Sequence, residues 1–252
     1  MAIAIRKPEE IKALASANRI VAQTLSLLRE HAKPGISLLE LDKIAEDFIR
    51  SQGARPSFKG LYGFPGAICT SVNEVIIHGI PNGYQLKEGD ILGVDIGTEY
   101  KGWFGDGAAT FGIGAVTQND EALMACSRDA LLYAIDSIRV DMRFKELSHL
   151  IEQFILKRGM VPLRGFCGHG IGRKPHEEPE IPNYLEGGNP KQGPKIREGM
   201  VFCIEPMICQ KSGEAKILSD KWAVVSHDGL NGSHHEHTVA IVNGRAEILS
   251  KE

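Results

Sequence analysis

The sequence predicts an α+β fold made of two related halves of a single domain, roughly residues 1–115 and 116–252. Two internal similarities support this prediction. LLELDKIAEDFIRSQG at 38–53 resembles FKELSHLIEQFILKRG at 144–159, an offset of 106, and EGDILGVD at 88–95 resembles EGMVFCIE at 198–205, an offset of 110. In both halves helices precede a strand that ends on a carboxylate. Amphipathic helices can resemble one another by coincidence, but two matches at nearly equal offset favour a duplication.

The composition is that of an ordinary globular protein. The 252 residues are 42% hydrophobic and 24% charged, and the formal net charge is −3, which gives no general attraction to nucleic acid. No apolar run approaches the ~20 residues that span a membrane, and the first residues lack the apolar core of a signal peptide. We therefore expect a cytoplasmic protein with reduced thiols, because its five cysteines lack zinc-site spacing: Cys69, Cys126, Cys167, Cys203 and Cys209.

The first half begins with two predicted helices. Residues 8–31 place apolar side chains at helical spacing, and Asn18 interrupts that apolar face. Ser37 and Glu40 have the spacing of a capping box, which predicts the start of a second helix that ends near Gly53.

A β-hairpin is predicted at 91–111, with its turn at 98–102. Asp95 and Asp106 would then lie on adjacent strands. An ionised carboxylate within an apolar strand is costly unless it is paired or binds a metal. Two close carboxylates repel each other, and a divalent cation removes that repulsion. The alternative is that Asp95 is a strand-end residue and Asp106 a turn residue.

In the second half, helices are predicted at 117–138 and 144–158. A strand at 200–204 then leads into Glu205, and Glu236 enters a further strand. If the halves are related by a pseudo-twofold axis, Asp95 and Glu205 meet at the centre of the fold. The two carboxylates would then come from opposite halves.

Four histidines of the second half lie near these acids in sequence. Glycines flank His169 and permit close backbone approach, which makes this residue a candidate metal ligand. His176 follows seven residues later. His234 and His235 precede Glu236 and are either weak metal contacts or, as we expect, solvated loop residues.

Together these segments supply a candidate ligand set of four carboxylates and one imidazole: Asp95, Asp106, His169, Glu205 and Glu236. Such donors suit manganese, iron, cobalt or zinc as divalent ions better than a metal that prefers thiolates. Four negative charges are too many for one dication. A pair of ions about 3.5–4 Å apart, which can hold a nucleophilic hydroxide and polarise a carbonyl, is the natural arrangement.

The chain resembles type I methionine aminopeptidases of the short bacterial kind. The resemblance covers nearly the whole chain, and its motifs occur in the family's order: SVNEVIIHGIP (71–81), VDIG (94–97), GDGA (105–108), CGHGIG (167–172), HEEP (176–179), IEPM (204–207) and EHT (236–238). It implies the pita-bread fold, in which two pseudo-symmetric αβ halves surround a central curved antiparallel sheet covered by helices. It also implies two divalent metal ions.

The resemblance further implies a role for each residue. Asp95 binds one metal, Asp106 and Glu236 bridge both, and His169 and Glu205 complete the other metal's shell. In the family a metal-activated water attacks the carbonyl of the first residue. Three residues are then catalytic: Glu205 as proton shuttle, His176 as stabiliser of the oxyanion, and His78 as a contact near the scissile amide. The alternative for His78 is a strand-end residue.

The methionine pocket is expected to be apolar, with walls from six matching positions: Phe58, Leu61, Tyr62, Phe64, Cys69 and Trp222. Aromatic and sulfur walls suit a flexible thioether side chain. Leu61 and Phe64 stand where tyrosines are common in the family, and Tyr62 stands where histidine is common. We expect these departures to alter inhibitor preference and kinetics rather than the reaction.

The expected substrates are N-termini of nascent polypeptides with a small second residue, met near the ribosome by a monomeric enzyme. The chain's own Met1-Ala2 start predicts loss of Met1. One alternative is a proline-specific (Xaa-Pro) peptidase of the same fold, but those relatives generally carry an extra N-terminal domain. The other is a non-enzymatic binding module, although such relatives have lost metal ligands and this chain has all five.

Overall fold

Four α-helices form in the computed structural model, which describes residues 2–251: α1 (Pro8–His31), α2 (Leu38–Ser51), α3 (Gln118–Ser137) and α4 (Phe144–Leu156). The predicted capping box starts α2. The Ser37 hydroxyl accepts from the Glu40 N–H at 3.2 Å, and the Glu40 carboxylate accepts from the Ser37 N–H at 2.9 Å. These helices lie where the sequence places them, so their capping and periodicity are sufficient signals. The predicted loss of Met1 concerns a residue outside the described range.

The strands of the described range are short except for two: β1 (Arg55–Pro56), β2 (Cys69–Val72), β3 (Val75–Ile77), β4 (Ile91–Tyr100), β5 (Trp103–Gly112), β6 (Val161–Pro162), β7 (Cys167–Gly170), β8 (Glu177–Pro182), β9 (Val201–Ile204), β10 (Met207–Cys209), β11 (Ala215–Ile217), β12 (Val224–Ser226), β13 (Gly232–His234), β14 (Glu236–Val242) and β15 (Arg245–Ile248). A single 3₁₀ turn lies at Leu61–Gly63.

Nine strands form one antiparallel sheet in the order β1-β4-β5-β14-β9-β7-β8, with β2 also beside β4 and β15 beside β14. Two smaller sheets, β13-β10-β6 and β11-β12-β3, flank it. The junction between the halves lies where β5 pairs with β14. Both halves therefore contribute strands to a single continuous sheet.

The predicted hairpin is formed by β4 and β5, which pair from Ile91 opposite Gly112 to Tyr100 opposite Trp103. Its turn is tighter than predicted, because Lys101 and Gly102 alone connect the strands. Both have positive φ, 52° and 76°, as a two-residue hairpin turn of the right twist requires. The predicted turn residues 98–100 remain in β4, where β1 pairs with Thr98 and Glu99.

Each half packs its helices on its own part of the sheet. In the first half, Leu28 of α1 and Leu41 of α2 share a buried cluster with Leu92 of β4. In the second half, Leu147 of α4 shares a buried cluster with Phe202 of β9. Burying an apolar side chain of this size contributes about 1.5–3 kcal/mol. The two clusters fix the sheet beneath its helices.

Equivalent hydrogen bonds relate the two halves. At the start of α2 the Leu38 N–H donates to Tyr84 O at 3.1 Å, and at the start of α4 the Phe144 N–H donates to Pro194 O at 3.2 Å. The donors are 106 residues apart and the acceptors 110 apart, the same offsets as the sequence similarities. The fold is thus the predicted α+β pita-bread arrangement of pseudo-symmetric halves. Within the described residues no helix is both long and apolar enough to cross a membrane.

Candidate metal centre

The strand register places the four acids on one face of the central sheet. Asp95 of β4 and Glu236 of β14 both lie opposite Ala108, which stands between them on β5. Asp106 is two residues from Ala108 and therefore faces the same side. Glu205 directly follows Ile204, the last residue of β9. Ile204 pairs with His237, the residue after Glu236 on β14. Carboxylates far apart in sequence converge because four neighbouring strands, β4, β5, β14 and β9, align them.

The backbone of Asp106 is supported from both sides. The Asn18 Oδ1 of α1 accepts from the Asp106 N–H at 3.2 Å, and the Thr238 hydroxyl donates to Asp106 O at 2.8 Å. Gly105 permits the approach of the helix, because a Cβ there would lie 2.8 Å from Asn18 N. Asn18, which interrupts the apolar face of α1, therefore holds β5, the strand that carries Asp106. A buried side-chain amide needs hydrogen-bond partners, so a polar Asn18 within the apolar face of α1 was the sequence signal for a contact of this kind.

His169 of β7 directs an unprotonated nitrogen at the acids. Its Nδ1 lies 3.0 Å from Gly170 O, and a carbonyl oxygen can only accept, so Nδ1 carries the proton. Nε2 then offers a lone pair, 3.5 Å from Glu205 Oε1 and 3.9 Å from Asp106 Oδ2. Burial, with a smaller effect from His176, lowers the His169 pKa to about 3. This neutral, oriented imidazole has the form of a metal ligand.

The electrostatics of the acids favour a cation. Burial is the largest cause that raises the pKa of each of the four carboxyl groups, and neighbouring carboxylates raise it further for Asp106, Glu205 and Glu236. Asp95 Oδ1 and Glu236 Oε1 are buried and have no hydrogen-bond partner among residues 2–251. A divalent ion would supply both the missing charge and the missing contact. The residues present therefore suit a metal centre.

Two groups of donor atoms, each within 4.8 Å of one another, lie among these residues. Asp106, His169, Cys203 and Glu236 form one, and Glu205, His234 and Glu236 form the other. Glu236 belongs to both groups. Asp95 belongs to neither, but its charge raises the pKa of both glutamates, so it shares their electrostatic environment.

The centre opens into a cavity of about 520 Å³. All six residues expected in the methionine pocket line this cavity: Phe58, Leu61, Tyr62, Phe64, Cys69 and Trp222. Phe64 and Trp222 meet edge to face, with ring centroids 5.1 Å apart. Tyr62 differs from the others because its side chain is largely exposed at the mouth, at 79%. The cavity combines an apolar wall with an acidic one.

Comparison with known proteins identifies the family. Residues 12–243 match the model of metallopeptidase family M24. The chain belongs to metallopeptidase family M24. It is 64% identical to a methionine aminopeptidase of Helicobacter pylori over all 252 residues, which cover the whole of both chains. Its structure superposes on that of methionine aminopeptidase from Thermotoga maritima with a TM-score of 0.96 and 36% identity, again over both whole chains.

This M24 metallopeptidase is also similar in fold to a prolidase from Pyrococcus furiosus, with a TM-score of 0.80 and 23% identity. That likeness covers 98% of this chain but 65% of the prolidase, and it concerns the fold alone. The long matches at higher identity are to methionine aminopeptidases. The chain is therefore a metal-dependent aminopeptidase of the dinuclear-metal kind, and the proline-specific alternative has less support.

His78 and His176 stand at the same cavity of the metallopeptidase. His176 is exposed at the mouth, where its ring centroid lies 4.4 Å from that of His169 and 6.4 Å from that of Tyr62. His78 is half-buried, has a φ of 59°, and meets Phe166 edge to face at 5.7 Å. The sequence did not indicate Phe166, because no motif marks a residue whose partner is 88 positions away.

The expectation that His234 and His235 are solvated loop residues is wrong. Their side chains are buried, with 3% and 8% exposure. β13 ends at His234, which lies opposite Met207 of β10, so the segment is part of a sheet rather than a loop. His235 Nδ1 lies 2.7 Å from the Ser127 hydroxyl of α3. Contacts with β10 and α3 bury these two histidines, although the polar sequence of the segment is typical of an exposed loop.

Proposed function

We propose that the chain hydrolyses the peptide bond after an N-terminal methionine in polypeptides whose second residue is small. The observation that carries this proposal is one cavity of about 520 Å³ that joins aromatic and thiol walls to four acids and His169. An unbranched, polarisable thioether side chain suits such walls. The acids provide the reactive side of the same cavity, next to the bond that follows the bound residue.

We infer which residues would hold two divalent ions from the family resemblance and the positions of the donor atoms. Glu236, which belongs to both donor groups, and Asp106 would hold both ions. His169 and Glu205 would hold one ion, supported by the 3.5 Å between their donor atoms. Asp95 would hold the other ion. Cobalt, manganese, iron and zinc as divalent ions all suit this mainly oxygen set with one nitrogen.

When bound, two such ions polarise the scissile carbonyl and lower the pKa of an attacking water. Glu205 accepts the proton of that water as the oxygen bonds to the carbonyl carbon. Glu205 then returns this proton to the leaving nitrogen as the carbon–nitrogen bond breaks, and methionine and the shortened polypeptide are released. Glu205 suits this role because its carboxyl group lines the cavity beside the other acids, within reach of the bound substrate.

Two histidines act on the substrate in this proposal. His176, at the mouth, hydrogen-bonds to the carbonyl oxygen as negative charge develops on it. His78 contacts the substrate beside the scissile amide. Burial lowers the His78 pKa to about 4, so its imidazole is neutral at physiological pH and can donate one hydrogen bond without adding charge.

We further propose that the protein acts as a cytoplasmic monomer on nascent chains near the ribosome. All five cysteines are free thiols, in keeping with a reducing compartment.

The decisive experiment compares two tripeptides with metal-stripped protein. Mn²⁺, Co²⁺ or Fe²⁺ is added back separately, and free amino acids released from Met-Ala-Ser and from Ala-Pro-Ser are measured. We expect release of methionine only, in the presence of metal. Glu236→Ala should lower kcat/KM by on the order of 1,000-fold, equivalent to ~4 kcal/mol of transition-state stabilisation.

The other outcomes separate the alternatives. Cleavage of the proline peptide instead would keep the metal centre and replace the substrate by an Xaa-Pro bond. Cleavage of neither peptide, by protein that binds the ions, would favour a binding module. Circular dichroism of Glu236→Ala controls for loss of the fold.

A further inference from the structure

His234 brings a second imidazole to the edge of the acid cluster. Its side chain is 3% exposed, and its Nε2 has no hydrogen-bond partner among residues 2–251. That nitrogen lies 3.6 Å from Glu205 Oε2 and 4.0 Å from Glu236 Oε2. A buried polar atom without a partner is uncommon in folded proteins. Its direction toward two carboxylates indicates what the partner is.

The backbone of His234 is fixed, so this placement is built into the fold. The Thr110 hydroxyl of β5 accepts from the His234 N–H at 2.9 Å and donates to His234 O at 2.8 Å. β13 also pairs with β10 at this residue. The position of the ring is therefore tied to the same hairpin that carries Asp95 and Asp106.

Glu205 lies between two imidazoles, one at each of its oxygens. His169 Nε2 is 3.5 Å from Oε1, and His234 Nε2 is 3.6 Å from Oε2. Two donors bound about 2.1 Å from one ion lie roughly 3–3.5 Å apart. His169 and Oε1 can therefore serve the same ion, which leaves Oε2 free to accept a hydrogen bond from the opposite side.

We propose that His234 is a positioning residue that donates its Nε2–H to Glu205 Oε2 and so fixes the carboxylate for metal binding and proton transfer. The inference rests on the proposed function, in which Glu205 is a ligand and proton shuttle. A partner of this kind sets the orientation of a carboxylate ligand, and its loss weakens metal binding or activity by about 10–100-fold. His169 contributes a lone pair to the centre, whereas His234 contributes a proton donor.

The test uses two variants of similar size that differ in the donor. His234→Leu fills the site without an N–H, and His234→Gln retains an amide N–H. His235→Gln is the matched control, because His235 is equally buried but bonds to Ser127 of α3. Each protein is stripped of metal and titrated with Co²⁺ by calorimetry. The visible spectrum of the bound cobalt and the kcat and KM for Met-Ala-Ser are then recorded.

We expect His234→Leu to bind Co²⁺ about 10–100-fold more weakly, with a comparable fall in kcat and little change in KM. His234→Gln should recover most of both losses, and His235→Gln should bind cobalt as the unaltered protein does. Unchanged cobalt affinity and spectrum in His234→Leu would overturn the proposal. Equal losses in the Leu and Gln variants, with an altered cobalt spectrum in both, would also overturn it by showing that the nitrogen is itself a ligand.

Failure of the proposed function would look different. In that case the unaltered protein would bind no Co²⁺, or Glu236→Ala would bind it as well as the unaltered protein does. Thermal unfolding of the metal-free proteins shows whether each variant is folded. If His234→Leu is unfolded, the comparison of His234→Gln with His235→Gln still decides, because a Gln variant without measurable cobalt affinity contradicts the donor role.

Discussion

The two halves of the molecule contribute unequally to the proposed metal centre. The first half contributes two aspartates on one hairpin, Asp95 and Asp106, whose strands pair along ten residue positions. The second half contributes two glutamates, Glu205 directly after β9 and Glu236 at the start of β14, together with the imidazoles His169 and His234. The internal similarity relates Glu205 to Asp95, but β4 continues beyond Asp95 to Tyr100, whereas β9 ends before Glu205. The imidazoles have no counterpart among the first half's ligands. The pseudo-symmetric fold therefore holds an asymmetric centre.

This asymmetry has a chemical consequence. Oxygen donors alone suit hard cations, whereas an added imidazole favours zinc, iron and similar transition metals. In the proposed assignment, the ion held by Asp95 would have carboxylate oxygens only, and the ion held by Glu205 would also have the nitrogen of His169. The two positions should therefore differ in affinity and in the metal they prefer.

The largest effect that tests this difference comes from removing the ligand specific to each position. We expect Asp95→Ala and His169→Ala each to retain one tightly bound ion instead of two and to lower kcat/KM about 100-fold, or ~2.7 kcal/mol. Metal content after dialysis, measured by atomic absorption, gives the stoichiometry. Loss of both ions in both variants would contradict two separable positions.

In the first half, Asn18 of α1 supports the strand that carries Asp106. Asn18→Leu removes the amide that accepts from the Asp106 N–H, and the buried donor is left without that partner. We expect the free energy of unfolding to fall by about 1–3 kcal/mol, with weaker metal binding. Thr24→Val is the matched control, because its buried hydroxyl bonds only within α1, to Ile20 O.

Urea unfolding of the metal-free proteins measures the first effect, and Co²⁺ titration measures the second. Asn18→Leu could instead lower the free energy of unfolding no more than Thr24→Val and bind cobalt normally. That result would show that the hydrogen bond from Asp106 N–H to Asn18 does not support the centre.

Proton release on metal binding distinguishes the carboxyl groups, which come from both halves, from the imidazole of His169, which comes from the second half only. Burial raises the Asp95 pKa to about 7, and the pKa values of the other three buried carboxyl groups are raised too, so metal binding should displace protons from the metal-free centre. His169 has a pKa of about 3 and is already neutral, so it releases none. Metal affinity should therefore rise with pH, about tenfold per pH unit for each proton released.

Calorimetry in two buffers of different ionisation enthalpy, at pH 6 and pH 7.5, counts the released protons. Asp95→Asn should release fewer protons than the unaltered protein, whereas His169→Ala should release the same number per ion bound. An affinity that does not change with pH would contradict the raised carboxyl pKa values.

The sequence was sufficient for the parts of the centre that depend on local register. The hairpin with Asp95 and Asp106 follows from apolar-rich runs and a glycine-containing turn, and the internal similarity relates Glu205 to Asp95. His169 and Glu236 also entered the candidate ligand set from the sequence, and the family resemblance supplied the role of each. Asn18 and His234 were missed as parts of the centre, because their contacts to Asp106 and Thr110 span 88 and 124 residues. The first contact depends on how α1 packs against β5 within the first half, and the second depends on how the two halves are joined. No local pattern records either.

The smallest expected effect lies in the pocket wall, which the first half largely provides. Leu61 lines the cavity and is half-buried beside Phe58 and Phe64. Leu61→Tyr adds a ring and a hydroxyl at the apolar wall without touching the acids. We expect KM for Met-Ala-Ser and the affinity of methionine-like inhibitors to change by about 10-fold or less, with kcat within twofold, because the contact is made equally in the ground and transition states. Unchanged KM and inhibitor affinity would exclude Leu61 from the methionine pocket, whereas a large fall in kcat would show that this wall also positions the scissile bond.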